Sequence, residues 1–596
     1  MRASLCYLFN EVFDRHQVPS DWRNGLIVPL YKEGDRDRAT NYRGITLLSN
    51  VGKIFAGILE RRLSTWCESN KLFAQEQAGF RKGRTTTDQI FTLAEIIRRR
   101  KNERKPTFCC FLDIRKAYDT VWRDGLWTKL TEAKVDGKML WTIRNMYEGV
   151  KSRVVVNGRL TAWFDVNIGL RQGCVLSPLL FLIFINDLIK EFNASDSGVV
   201  VGDVRINNLA FADDIVLIAD NEEELQELVS IASNHARTWK FTFNTNKCKV
   251  VVFNGKKKKP EILLEGDSLE IVNAYKYLGV WFDSKLDWKL HKETILAKAR
   301  RRAYTMMGFG VCKILPVKSC VNLWEVLVRP ILEYAAEVWG DGGWEAAEKL
   351  QREVGKLILG APTRTANEVV LGDLGWWELK ARRDKARLKL YKKLSSRRWG
   401  EYTKLLVDDI HGVWRQYSDE LLQAIELDID DMKLYSEMEW RNLLTTKMHA
   451  REEKRWRQGV QTKAKLRTYR TIKSKLRMEP YLKYKNRLAR YLTTRLRSGT
   501  NFLRIETGRY EQESVEERLC GLCNMIEDGK HFLLDCDLYD NIRGPLWKGL
   551  KMEALSDAKK LEILLGSAPV KGATDAFAGQ FIIDARKTRE IFQGLL

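Results

Sequence analysis

The chain has 596 residues and a mass of 69.2 kDa, room for about three to five domains of roughly 100–200 residues. Its 44% hydrophobic and 30% charged residues exclude wholesale disorder. The longest apolar stretch, Val175 to Ile185, is broken by Ser177-Pro178 and stops at Asn186-Asp187. That is short of the ~18 residues a membrane span needs, so no membrane partner is expected. The N-terminus carries no export or import signal, and eleven cysteines are an odd number for a disulfide framework. A nuclear or cytoplasmic compartment follows.

The first 285 residues mix short apolar strand-like runs (Leu26 to Tyr31, Thr107 to Asp113, Leu209 to Ala219, Val250 to Phe253) with amphipathic helical stretches, an α+β texture. Lys256 to Lys259 reads as an exposed loop. From about 288 to 500 the spacing of Leu, Tyr and Trp predicts helices, with Pro480 dividing the last basic stretch and Ser498-Gly499 ending it. The net charge of +23 sits in two blocks. Residues 451–500 hold 17 Lys/Arg against 3 Asp/Glu, and residues 380–398 hold 10 against 1. Such blocks ask for a polyanion.

Two adjacent carboxylates, Asp213 and Asp214, interrupt the run Leu209 to Ala219. A hairpin turn would explain them, since Asp is common in turns. The run Thr107 to Ile114 also carries a carboxylate, Asp113, near its C-terminal end. If the two strands pair, the three carboxylates converge at one sheet edge. Like charges at that range raise each other's pKa. Two Mg²⁺ ions would resolve the conflict and serve nucleotidyl transfer, activating a 3′-hydroxyl and stabilising departing pyrophosphate.

Eight blocks then appear in order: VPSDWRNGLIVPLYKEGD (18–35), NYRGITLLSNVGKIF (41–55), QAGFRKGRTTTDQI (77–90), FLDIRKAYDTVW (111–122), GLRQGCVLSPLLFLIFINDL (169–188), FADDIVLIAD (211–220), NTNKCKVVVF (244–253) and YKYLGVWFD (275–283). This set resembles the reverse transcriptases of non-LTR (LINE-type, jockey-like) retrotransposons over about residues 1–340. The resemblance implies an RNA-directed DNA polymerase built as a right hand of fingers, palm and helical thumb. It would use an RNA template, a DNA primer, the RNA/DNA hybrid they form, and dNTPs.

Carried over residue by residue, the resemblance gives Asp113, Asp213 and Asp214 the catalytic Mg²⁺-binding role, with the backbone carbonyl of Ile114 a further ligand. Tyr118 matches the aromatic that packs under the sugar and excludes a 2′-hydroxyl; core packing is the plain alternative. Asp119 is ambiguous, because RNA polymerases place a carboxylate at similar spacing to recognise that hydroxyl. Gln172 and Gly173 fall near the incoming nucleotide, and Ser177-Pro178 starts the supporting helix. Lys32 and Arg43 flank a fingers-like hairpin where cations would meet the triphosphate, although the family usually has Pro where this chain has Gly44. Lys247 matches the family's proton donor to pyrophosphate; a surface lysine is the plain alternative. Asn221 and Glu224 read as a helix-capping pair, and His235 as a core or edge histidine without a catalytic role. Tyr275 to Asp283 alternates like a strand and resembles the primer grip.

Trp456, Tyr469, Tyr481, Tyr484 and Tyr491 are interleaved with the lysines and arginines of 451–500. Rings in such company can stack on unpaired bases, and their helical spacing also fits core packing. Cys520, Cys523, His531 and Cys536 supply a full tetrahedral shell for structural Zn²⁺, and look like the C-terminal zinc knuckle of LINE proteins. The expected division is fingers and palm at 1–285, thumb at 286–400, basic helices at 401–510, knuckle at 511–545 and a helical tail at 546–596. The family's endonuclease normally precedes the polymerase, and this chain opens inside the early fingers, so a truncated element unable to nick DNA is expected. The alternative is a catalytically inactive remnant that only binds nucleic acid.

Overall fold

The computed structural model describes residues 2–594 apart from 33, 256–259, 309, 396–400, 410 and 568–573. The tetralysine at 256–259 therefore lies outside the described residues. The chain forms two units: residues 1–290 with 394–415, and residues 291–393 with 416–596. Among the described residues, no helix is long and apolar enough to cross a membrane.

In the first unit, β1 (Asn24–Tyr31) and β2 (Tyr42–Leu47) form an antiparallel hairpin in which Leu30 faces Arg43. Helices α1 (Asn50–Ser69) and α2 (Thr86–Asn102) follow, the second begun by a Thr85/Asp88 capping box. A second sheet is the core of this unit. Its strands are β3 (Thr107–Asp113), β4 (Asn208–Phe211), β5 (Asp214–Ala219), β6 (Lys249–Phe253) and β7 (Glu270–Ile271), in the order β7-β6-β3-β5-β4. β3 reads as an unbroken apolar run because both faces are covered. Cys110 and Leu112 join the core formed with Leu180, Phe184, Leu225 and Leu228, on helices α3 (Ser177–Asn193) and α4 (Glu222–Thr238). On the alternate positions, Phe111 stacks on Tyr275 with centroids 4.2 Å apart.

The stretch Tyr275 to Asp283 alternates as expected, but it is two strands, β8 (Ala274–Tyr277) and β9 (Val280–Asp283). Leu278 and Gly279 both take positive φ, 45° and 90°, the signature of a tight two-residue hairpin turn. The capping reading of Asn221 holds: its side chain accepts from the Glu224 N–H. His235 is 2% exposed, and burial together with the Lys129 ammonium pushes its pKa down to about 3. The ring is neutral, so Nδ1 carries the proton and donates to Glu191 at 2.8 Å.

The second unit is helical. Pro480 opens a 3-10 turn at Pro480–Lys483, and Gly499, at φ 60°, caps the helix Arg487–Ser498. Part of the basic block at 451–500 is interior rather than surface. Arg497, fully buried, donates to Asp373 at 2.8 and 3.1 Å and to Glu479 at 2.8 Å. Tyr469 and Tyr481 donate to the same Asp373. Trp456, Tyr469, Tyr481 and Tyr484 are all buried and Tyr491 half-buried. Core packing, not base stacking, accounts for the first four: a buried ion cluster needs closed walls and donors on every carboxylate oxygen.

Candidate active site

Antiparallel pairing of β3 with β5 sets Asp113 directly opposite Asp214. Side chains so paired sit about 5 Å apart, and like charges there repel. Asp213 lies in the two-residue turn joining β4 to β5, where Phe211 faces Asp214. The hairpin and the carboxylate cluster are thus one feature. Desolvation, then Asp213 and Asp113, push the Asp214 pKa up to about 6. Asp213 is also raised, by burial first and by Asp113, with Arg43 and Lys32 pulling the other way. Arg43 and Lys32, on or next to the β1–β2 hairpin, therefore both act on Asp213. The bridge from Ile114 to Phe243 uses the Arg115 N–H to Thr242 and the Asn244 N–H to Asp113. It leaves the carbonyl of Ile114, next in the chain to Asp113, outside that ladder.

The turn itself is strained. Ala212 has φ 59° at a position that favours glycine. Gln77, fully buried, holds it: Oε1 accepts from the N–H groups of Ala212 and Gly79, both at 2.8 Å, and Nε2 donates to the Ala212 carbonyl at 3.3 Å. A side chain at Gly79 would place Cβ 2.3 Å from the Ala212 nitrogen, so only glycine allows this approach. Gln77 stands in one of the sequence blocks, but nothing local hints at its partner, 135 residues away.

Gln172 links β2 to the loop that carries Asp119. Its Oε1 accepts from Arg43 Nε at 3.1 Å, its Nε2 donates to Asp119 at 2.7 Å, and its carbonyl accepts from the Thr46 N–H at 2.7 Å. Gly173, φ 124°, has its would-be Cβ 2.4 Å from the Thr46 carbonyl, so the glycine is what lets this loop lie against β2. Tyr118 stacks on Phe181 with centroids 5.3 Å apart and remains half-buried. Burial first, and then the Asp213 carboxylate, raise its phenol. Lys32 is exposed at the end of the hairpin, its N–H donating to the Asn41 carbonyl. Lys247 is exposed in the turn before β6, two residues from Lys249, which faces Phe111. It is placed near the Asp113 end of β3 without a bond to the cluster.

Residues 31–282 match the family model described as reverse transcriptase (RNA-dependent DNA polymerase). These residues are a reverse transcriptase domain. Asp113, Asp213, Asp214, the turn at Ala212 and the bridging Gln172 all fall inside the matched range. Among curated proteins, the chain is 26% identical over 390 residues to a probable RNA-directed DNA polymerase from transposon X-element of Drosophila melanogaster, covering 63% of this chain and 42% of that protein. It is 28% identical over 370 residues to the RNA-directed DNA polymerase from mobile element jockey of Drosophila funebris, covering 60% and 40%. The chain thus spans about two fifths of these relatives' length. A solved telomerase from Candida tropicalis, in complex with a fragment of telomeric RNA, aligns with a TM-score of 0.36 at 14% identity over 74% of this chain and 68% of that one.

Beyond the reverse transcriptase domain, Cys520, Cys523, His531 and Cys536 bring one ligand atom each within 4.8 Å of the others. Sγ of Cys536 is 3.9 Å from that of Cys520 and 3.6 Å from that of Cys523, with no disulfide among them. Tetrahedral Zn–S bonds of about 2.3 Å imply sulfur separations of about 3.8 Å. His531 is 4% exposed and, among the described residues, neither ring nitrogen has a hydrogen-bond partner, so a buried ring lone pair is left unmet that a metal would take.

Two outcomes follow for the reverse transcriptase domain. Removing Gln77 strands the buried Ala212 and Gly79 N–H groups, so Gln77→Leu should lose about 1–3 kcal/mol in denaturant unfolding; an unchanged midpoint and slope would refute the clamp. The folded-state pKa of Asp214 lies above the ordinary carboxylate value, so the native state holds its proton more tightly. The cluster then costs nothing below about pH 4 and becomes a penalty as pH rises through 6. In magnesium-free protein, Asp214→Asn should stabilise at pH 7.5 by on the order of 1 kcal/mol, reduced by solvent at the exposed carboxylate. The gain should vanish below pH 4; a loss at pH 7.5 would contradict the repulsion.

Proposed function

We propose that the chain is an RNA-directed DNA polymerase of non-LTR retrotransposon type, extending a 3′-hydroxyl primer on an RNA template with dNTPs. The observation that carries this reading is the convergence of Asp113, Asp213 and Asp214 at one sheet edge, where the Asp213 and Asp214 carboxyls are raised above the ordinary carboxylate value. Together with the Ile114 carbonyl they would hold two Mg²⁺ ions, which when bound supply Lewis-acid activation of the primer hydroxyl and charge neutralisation at the pyrophosphate. Lys32 and Arg43 meet the triphosphate. Gln172, fixed by Arg43 and Asp119, and Gly173 border the incoming nucleotide. Tyr118, braced by Phe181, packs under the sugar and excludes a 2′-hydroxyl. The Asp119 carboxylate already accepts from Gln172, which supports the DNA rather than the RNA reading of that position. Lys247 donates a proton to departing pyrophosphate, an effect worth roughly 10²–10⁴-fold.

The zinc shell of Cys520, Cys523, His531 and Cys536 is closed, so its role is structural: it holds a nucleic-acid-binding loop. We assign the thumb to 286–400, basic helices to 401–510, the knuckle to 511–545 and a tail to 546–596. The partners are the RNA template, the DNA primer and their hybrid, in a nuclear or cytoplasmic ribonucleoprotein.

Primer extension of oligo(dT) on poly(rA) with dTTP tests the polymerase. Magnesium-dependent incorporation should fall at least about 10³-fold in Asp213→Ala; incorporation that survives this change would refute the assignment. Cys523→Ser should lower zinc content measured by mass spectrometry, and unchanged stoichiometry would refute the knuckle.

A further inference from the structure

A cavity of about 370 Å³ lies within the second unit, lined by Trp376, Arg383, Lys385 and Lys389 among others. Two residues of its lining, Arg383 and Trp376, carry buried donors with no hydrogen-bond partner among the described residues. The Arg383 side chain is 1% exposed, and none of its three guanidinium nitrogens has a hydrogen-bond partner. Its closest carboxylate, Glu348, stands 4.0 Å away and accepts instead from the N–H groups of Leu379 and Lys380 at 3.0 and 2.8 Å. The buried indole Nε1 of Trp376 is likewise without a partner.

The acids of the lining are already engaged. Glu325 takes Arg329 at 2.8 Å and Glu333 takes Arg382 at 2.5 Å. That leaves Arg383, Lys385 and Lys389 as cations in excess. Lys385 donates to the Thr445 hydroxyl at 2.7 Å rather than to a carboxylate. Burial, then Lys389, Arg382 and Arg441, push its pKa down to about 8. Crowded cations with unmet donors around a cavity suit a phosphate, whose oxygens accept several charge-assisted bonds at once. The volume falls at the lower end of the roughly 300–1,000 Å³ of ligand pockets, more than a bare phosphate fills.

We propose that this cavity binds one nucleotide unit through its phosphate, with Arg383 and Trp376 Nε1 as the buried donors and Lys385 and Lys389 completing the charge. The site stands on the second unit alone and does not depend on the chemistry assigned to the carboxylates. The ligand is either a free nucleotide or a nucleotide within an RNA strand.

Calorimetric titration of the zinc-loaded full chain in magnesium-free buffer separates these sources. The probes are 5′-UMP, uridine and decauridylate RNA. Binding of 5′-UMP but not uridine assigns a free nucleotide; binding of decauridylate alone assigns a strand. In either case Lys389→Glu should weaken the affinity at least about tenfold, while Lys548→Glu, an exposed charge control, should change it less than about twofold. Arg383→Met should abolish the site, and Lys385→Gln serves where that variant does not fold. The proposal is overturned if neither phosphate probe binds, or if Lys389→Glu and Lys385→Gln change affinity no more than the control does.

Discussion

The mutual repulsion of three carboxylates is the constraint around which the first unit is arranged. A β-sheet edge does not gather Asp113, Asp213 and Asp214 spontaneously, because Asp113 raises the cost of ionising Asp213, and both raise that of Asp214. The fold holds them together by means that are individually ordinary. Both faces of β3 are buried, the β3–β5 register fixes Asp113 against Asp214, and a buried glutamine clamps the strained turn that carries Asp213. The strain and the electrostatic penalty are concentrated at one place while the surrounding packing stays regular, a distribution common at functional sites.

Much of this was legible in the sequence, for a definite reason. Charges that interrupt apolar strands are costly, so Asp113 and the Asp213-Asp214 pair stand out without any structure. Pairing the two strands then predicts their meeting. A turn at Asp213-Asp214 and a meeting of these carboxylates with Asp113 are not alternatives, because the hairpin that makes the turn also sets Asp214 against Asp113. The four metal-spaced residues Cys520, Cys523, His531 and Cys536 were legible for a similar reason, since their spacing is local.

What was not legible depends on contacts far apart in the chain. Gln77 looks like any polar residue until Ala212 is placed beside it. The return of residues 394–415 to the first unit rests on tertiary contacts such as Phe91 against Trp414, with centroids 4.7 Å apart. In the C-terminal half, composition cannot tell a cation that faces solvent from one that closes a buried network. Arg497 and Arg383 both come from basic stretches, yet the first is saturated by Asp373 and Glu479 and the second has no hydrogen-bond acceptor among the described residues. Tyr275 to Asp283 was read as one strand because alternation persists through a two-residue turn, whose signal is only Leu278-Gly279.

The account stands or falls on divalent cations at the Asp113, Asp213 and Asp214 edge. Anomalous diffraction from crystals of the full chain soaked in Mn²⁺ measures this directly. The account predicts strong anomalous density among these three carboxylates and its loss in Asp113→Asn. Density confined to other sites, or unchanged by that substitution, would contradict it.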